Sequence, residues 1–117
     1  MALFSVKGFS RYVLGLTAVT TVEQWGSQVA KVGGKVFALI STDGDSVVFK
    51  VSELSFEGLT ALEGVDQAPY FAKRQWVSVS KEAPLTEAEL KGYIAASHAT
   101  VAAKLTRKLR TELGLPV

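Results

Sequence analysis

The glycine pair Gly33-Gly34 stands between two apolar segments, 28–32 and 35–41, and constrains the chain more than any other feature. Type I′ and II′ hairpin turns need positive φ, which glycine adopts without a Cβ clash. A two-residue loop here sets Val32 opposite Lys35, Lys31 opposite Val36, Ala30 opposite Phe37, Val29 opposite Ala38 and Gln28 opposite Leu39. The next turn, Thr42-Asp43-Gly44-Asp45, contains the Asp-Gly pair favoured in type I′ hairpins and sets Ile40 against Val47, Ala38 against Phe49 and Val36 against Val51. Since paired residues share a face, one face holds Val29, Val36, Ala38, Ile40, Val47, Phe49 and Val51 and is expected to meet the core. The other holds Ala30, Val32, Phe37, Leu39 and Val48 beside Lys35 and Lys50. A bulge exchanges these faces, because a one-residue slip turns every side chain over.

Helices are expected on either side of this meander. Val6, Phe9, Val13 and Leu16 recur at helical spacing near the N-terminus, and the first acidic residue of the chain is Glu23. The segment 17–24 reads as a short strand. Ser52 is placed to cap a helix over 53–63 that Gly64 ends. Val77 and Val79 alternate with Trp76, Ser78 and Ser80, which predicts a strand after a basic turn at Lys73-Arg74 and places Trp76 outside with Phe37 and Leu39. Thr86-Glu87-Ala88-Glu89 has the form of a capping box, with Leu85 and Leu90 as its staple, and opens a long helix to about Lys104. Thr106 re-caps a shorter helix that ends near Gly114 and Pro116.

These elements describe an α+β domain, an antiparallel sheet of about five strands backed by N- and C-terminal helices. Its 117 residues, 48% hydrophobic and 21% charged, suit one domain over 1–117, with no linker to divide it. The net charge of +2 permits an anionic partner without requiring one. With no cysteine there is no disulfide scaffold, thiolate zinc site or thiol chemistry, and the composition fits a cytoplasmic protein. Lys7 and Arg11 interrupt the apolar N-terminus, so neither a signal-peptide core nor a membrane span is expected.

Chemical motifs are sparse. The sequence has no phosphate-binding loop, dinucleotide fingerprint or nucleophile elbow, and Gly33-Gly34 is followed by a strand rather than a helix. His98 is the sole histidine, which argues for an imidazole packed on a helix rather than a zinc ligand or a catalytic base. Asp43 and Asp45 fall short of a calcium loop. No enzyme activity, cofactor or small-molecule substrate is therefore expected. The basic residues are more suggestive. Lys31, Lys35, Lys73 and Arg74 lie near two turns, and Lys104, Arg107, Lys108 and Arg110 gather near the C-terminus, either as phosphate contacts or as a solvated helix face. The aromatic set Trp25, Phe37, Tyr70 and Trp76 reads first as core filling.

Trp25-Gly26, the run from Val32 to Leu39, Ala68-Pro69-Tyr70, the run from Lys73 to Val79, a helix entering at Ser97 and the basic Lys104-Leu105 tail together resemble the MmcQ/YjbR-like family of small bacterial proteins. The resemblance spans about residues 14–109. It implies a frataxin-like (CyaY-like) fold and a DNA-binding role through two β-hairpin wings, here 28–41, with Lys31 and Lys35 near its tip, and 70–80, with Lys73 and Arg74. His98 stands where the family commonly has tyrosine. The acidic first helix that frataxin uses for iron has no counterpart, so iron delivery does not transfer with the fold.

Two functions from different classes follow. In the first, Lys31, Lys35, Lys50, Lys73 and Arg74 contact DNA phosphates, and Phe37 or Trp76 packs on sugar or base. In the second, Phe37, Leu39, Val48 and Trp76 form an apolar patch that binds another protein or a second copy of the chain.

Overall fold

A computed structural model describes residues 2–117. The chain runs α1 (Val6–Val13), β1 (Val19–Gln24), β2 (Ser27–Val32), β3 (Lys35–Ser41), β4 (Ser46–Lys50), α2 (Glu53–Thr60), β5 (Val65–Gln67), β6 (Trp76–Ser80), α3 (Glu87–Ala103) and α4 (Arg107–Leu113). Local chemistry sets most of these bounds. Ser5, Ser52, Thr86 and Thr106 each accept a backbone N–H at a helix start, Thr86 and Glu89 close the capping box, and Gly114 ends α4 in the left-handed conformation.

The strands form one antiparallel sheet in the order β1-β2-β3-β4-β6-β5, six strands rather than five. The additional strand is β5, three residues long, which pairs Val65, Asp66 and Gln67 with Val79, Ser78 and Val77. Gly64, at φ +83°, turns the chain from α2 into it. So short an edge strand leaves no alternation to read in the sequence.

Gly33 and Gly34 both have positive φ, and Val32 pairs with Lys35 and Lys31 with Val36 as the two-residue turn requires. The ladder then slips: Ala30 pairs with Ala38, Val29 with Leu39 and Gln28 with Ile40. Phe37 is the extra residue of a β-bulge. Beyond it the β3–β4 hairpin keeps two of the expected pairs, Ala38 with Phe49 and Ile40 with Val47; the third, Val36 with Val51, is not made, because the bulge turns Val36 to the outer face while Val51 packs on the main core. The bulge corrects the face assignment at one end of β2 and β3. Ala30, Val32 and Phe37 turn into the main core, while Val29 and Val36 turn to the opposite face; Ala38, Ile40, Val47 and Phe49 stay in the core and Leu39, Val48 and Trp76 stay outside it. The β3–β4 loop also departs from type I′. Gly44 alone has positive φ there, and Asp43 instead accepts hydrogen bonds from Ser41 Oγ at 2.6 Å and the Asp45 N–H at 2.9 Å.

A buried hydroxyl reconciles the bulge with the sheet. Ser97, on α3 and 1% exposed, donates to the Phe37 carbonyl at 2.6 Å and accepts the Lys50 N–H at 3.0 Å, replacing ladder bonds the bulge leaves unmade. The neighbouring His98 packs edge-on to the Phe37 ring at 5.1 Å and donates from Nε2 to the Thr17 carbonyl at 2.8 Å. It is the packed imidazole that its isolation in the sequence suggests. Among the described residues, the four helices lie on this core face and no helix covers the other.

Candidate functional site

The register brings the scattered lysines toward one end of the sheet. Lys31 and Lys35 flank the Gly33-Gly34 tip, Lys50 ends β4, and β6 begins with Trp76 opposite Lys50, so Lys73 in the preceding loop belongs to the same end. The tip rests on Leu105: a Cβ built on Gly33 would lie 2.5 Å from a Leu105 methyl. That contact brings in Lys104, the C-cap residue of α3. Lys104 is near enough to Lys50 that its charge, with partial burial, holds the Lys50 pKa below the ordinary lysine value. Two neighbouring ammonium groups beside a hairpin tip form a site that an anion relieves. Asp43 and Asp45 occupy the loop at the opposite end, where Lys81 pairs with Asp45 at 3.0 Å.

Arg74 and Trp76 are not free for that role. The Arg74 guanidinium donates to Glu53 at 2.8 Å and to Glu57 at 2.5 Å, and lies over the Phe56 ring, so its charge is balanced by α2. Trp76 is buried beneath Phe71, ring centroids 4.5 Å apart. With Phe37 on the core face, the set Phe37, Leu39, Val48 and Trp76 is not one exposed patch.

What covers the helix-free face is the segment 68–75, a strap that doubles back over the sheet. Gln67 anchors it: its Nε2 donates to the Ala68 carbonyl at 2.8 Å, and its Oε1 accepts the Arg74 N–H at 2.9 Å. The strap leaves open a groove of about 570 Å³, floored by Leu39 and Val48 and walled by Trp25 on one side and Pro69, Tyr70 and Phe71 on the other. Ser27 and Ser78 line it, with Ser41 and Ser46 in the same rim. Trp25 and Tyr70 stand out of the surface, 71% and 104% exposed. Sequence reasoning placed both among core aromatics. The missed signal at Trp25 is that Gln24 and Ser27 close a two-residue turn, so Trp25-Gly26 is a hairpin tip and cannot reach the core.

Compared with known proteins, the chain matches the YjbR family model over residues 14–100. It belongs to the YjbR family. Two solved structures share the fold. The Deinococcus radiodurans protein DR2400, described with the domain DUF419, superposes with a TM-score of 0.89 at 23% identity, over 99% of this chain and 92% of its own. A Pseudomonas syringae protein superposes with a TM-score of 0.64 at 19% identity, over 78% of this chain and 93% of its own. No curated protein matches. Among the described residues of this YjbR protein, no three His, Asp or Glu side chains group as metal ligands. No helix among them is long and apolar enough to cross a membrane.

The Lys50–Lys104 contact has a pH signature. Between the lowered native pKa of Lys50 and the ordinary value of 10.5, the unfolded chain binds more protons than the folded one, so stability rises with pH across that window. Replacing Lys104 with glutamine removes the facing charge. It is expected to raise the Lys50 pKa toward 10.5, read by NMR titration of the Lys50 Nζ group, and to flatten the rise in melting temperature over the same window. An unchanged Lys50 titration in Lys104→Gln refutes the contact.

Proposed function

We propose that this YjbR protein is a DNA-binding module rather than an enzyme, and that it grips phosphates with the basic end of its sheet. The observation that carries this reading is the docking of the Gly33-Gly34 tip on Leu105, which brings Lys31 and Lys35 to the end of α3 that carries Lys104, with Lys50 nearby. Like charges held together cost free energy in the isolated protein, and a polyanion offsets that cost by binding. Lys73, in the loop before β6, adds a cation at the same end of the sheet, whereas Arg74 acts in the scaffold. The first of the two wings, 28–41, thus supplies most of the contact, and the second serves mainly as the strap. The sheet with helices on one face supports the frataxin/CyaY-like description of the fold, and the absence of acidic residues from the first turn of α1 supports separating it from iron handling. Cysteine-free composition supports a cytoplasmic setting.

Fluorescence anisotropy with labelled single- and double-stranded DNA over a salt series tests the reading. Affinity is expected to fall steeply with salt, and Lys35→Gln/Lys50→Gln/Lys104→Gln is expected to reduce the log–log slope by about 2 and weaken low-salt binding at least ~10-fold. Lys81→Gln, at the opposite end, is the matched control. Binding that is absent at low salt, or a slope unchanged in the triple variant, overturns it.

A further inference from the structure

We propose that the groove on the helix-free face is a base-binding site, taking a planar, uncharged heteroaromatic ring with hydrogen-bonding edges. Such a ring comes either as a free nucleoside or as an unpaired base in a strand, and the second source rests on the DNA-binding reading above.

The two aromatics at the rim stand where folding gives no reason for them. Trp25 has φ +55° and Tyr70 φ +69°, in the left-handed region that bulky side chains seldom adopt. At Trp25 the two-residue turn favours asparagine or glycine at that position. Both rings stay in water, so neither recovers the strain by burial. Strain of this kind, held by the surrounding structure, is characteristic of ligand sites. At Tyr70 the holding groups are visible: Gln67 ties the strap to itself, and the neighbouring Phe71 packs, tilted, on Trp76.

The lining selects the chemistry. No residue of the groove carries a charge at neutral pH, which disfavours a phosphate or carboxylate as the bound group. Exposed aromatic rings offer stacking faces, and the serine hydroxyls of Ser27 and Ser78 both donate and accept, as the edge of a base requires. About 570 Å³ lies within the usual range for small-ligand sites.

Tryptophan emission gives a direct readout, because Trp25 is exposed while Trp76 is covered. Adenosine is expected to quench Trp25 emission saturably in the wild type and not in Tyr70→Gly. In anisotropy, Trp25→Gly and Tyr70→Gly are each expected to weaken binding of single-stranded oligodeoxyadenylate about 10-fold while leaving its salt slope unchanged. Glycine is chosen because it keeps positive φ without strain, and a melting curve verifies folding. Saturable quenching without salt-dependent oligonucleotide binding leaves the groove a nucleoside site and removes the DNA-binding reading. Salt-dependent binding unaffected by both glycine variants, with no adenosine quenching, overturns the groove and leaves the basic end standing. Failure of both measurements overturns both.

Discussion

A Phe37→Ala variant is expected to unfold about 3–5 kcal/mol more readily than the wild type. Phe37 is fully buried among the large side chains of the core, and its ring meets His98 at the back of the sheet. Truncation removes that contact and leaves a cavity beside a bulge whose carbonyl is held by Ser97, so the site is poorly able to collapse. Val36→Ala, one residue earlier, is the informative comparison. Val36 packs only partly, against the small cluster under the strap, and its truncation is expected to cost about 1 kcal/mol. Urea denaturation with an unchanged m-value measures both. The reverse order of losses is the result for a regular ladder without the bulge, in which Val36 faces the core and Phe37 does not.

Gly33→Ala and Gly34→Ala are expected to separate sharply although both place alanine at positive φ. The backbone penalty alone is about 1–2 kcal/mol at either position. At Gly34 nothing lies within 4 Å of the added Cβ, whereas at Gly33 it would lie 2.5 Å from Leu105 Cδ1, and Leu105 is itself buried. Moving that side chain adds about 1–3 kcal/mol at Gly33. Thermal melts that show equal losses refute the docking of the tip on the α3–α4 junction. Gly33→Ala also tests the basic end, because lifting the tip parts Lys31 and Lys35 from Lys104 and is expected to weaken DNA binding further than Gly34→Ala.

The parts of the fold legible in the sequence are those fixed by neighbouring residues. The Thr86–Glu89 capping box, the Thr106 cap, the left-handed Gly114 and the Ala38–Phe49 and Ile40–Val47 pairs of the β3–β4 hairpin each depend on a few adjacent side chains. The bulge was out of reach for the opposite reason. Whether Phe37 or Val36 enters the core is decided by the space below the sheet and by Ser97, 60 residues away. The same division runs through the candidate site. Lys31 and Lys35 are marked by their turn, but the meeting of Lys50 with Lys104, and the capture of Arg74 by Glu53 and Glu57, exist only once helices are placed. Alternation correctly put Trp76 outside the main core, yet gave no sign of the strap that covers it.

The Ser97 bridge also bears on the order of assembly. Hairpins β2–β3 and β3–β4 close over short loops and zip quickly, but in isolation the bulged register leaves the Phe37 carbonyl and the Lys50 amide without their α3 partner. A free hairpin gains little from the bulge until the late-sequence helix arrives with the hydroxyl that satisfies both groups. The face shown by Phe37 thus depends on a long-range closure that joins α3 to the sheet across 60 residues of sequence.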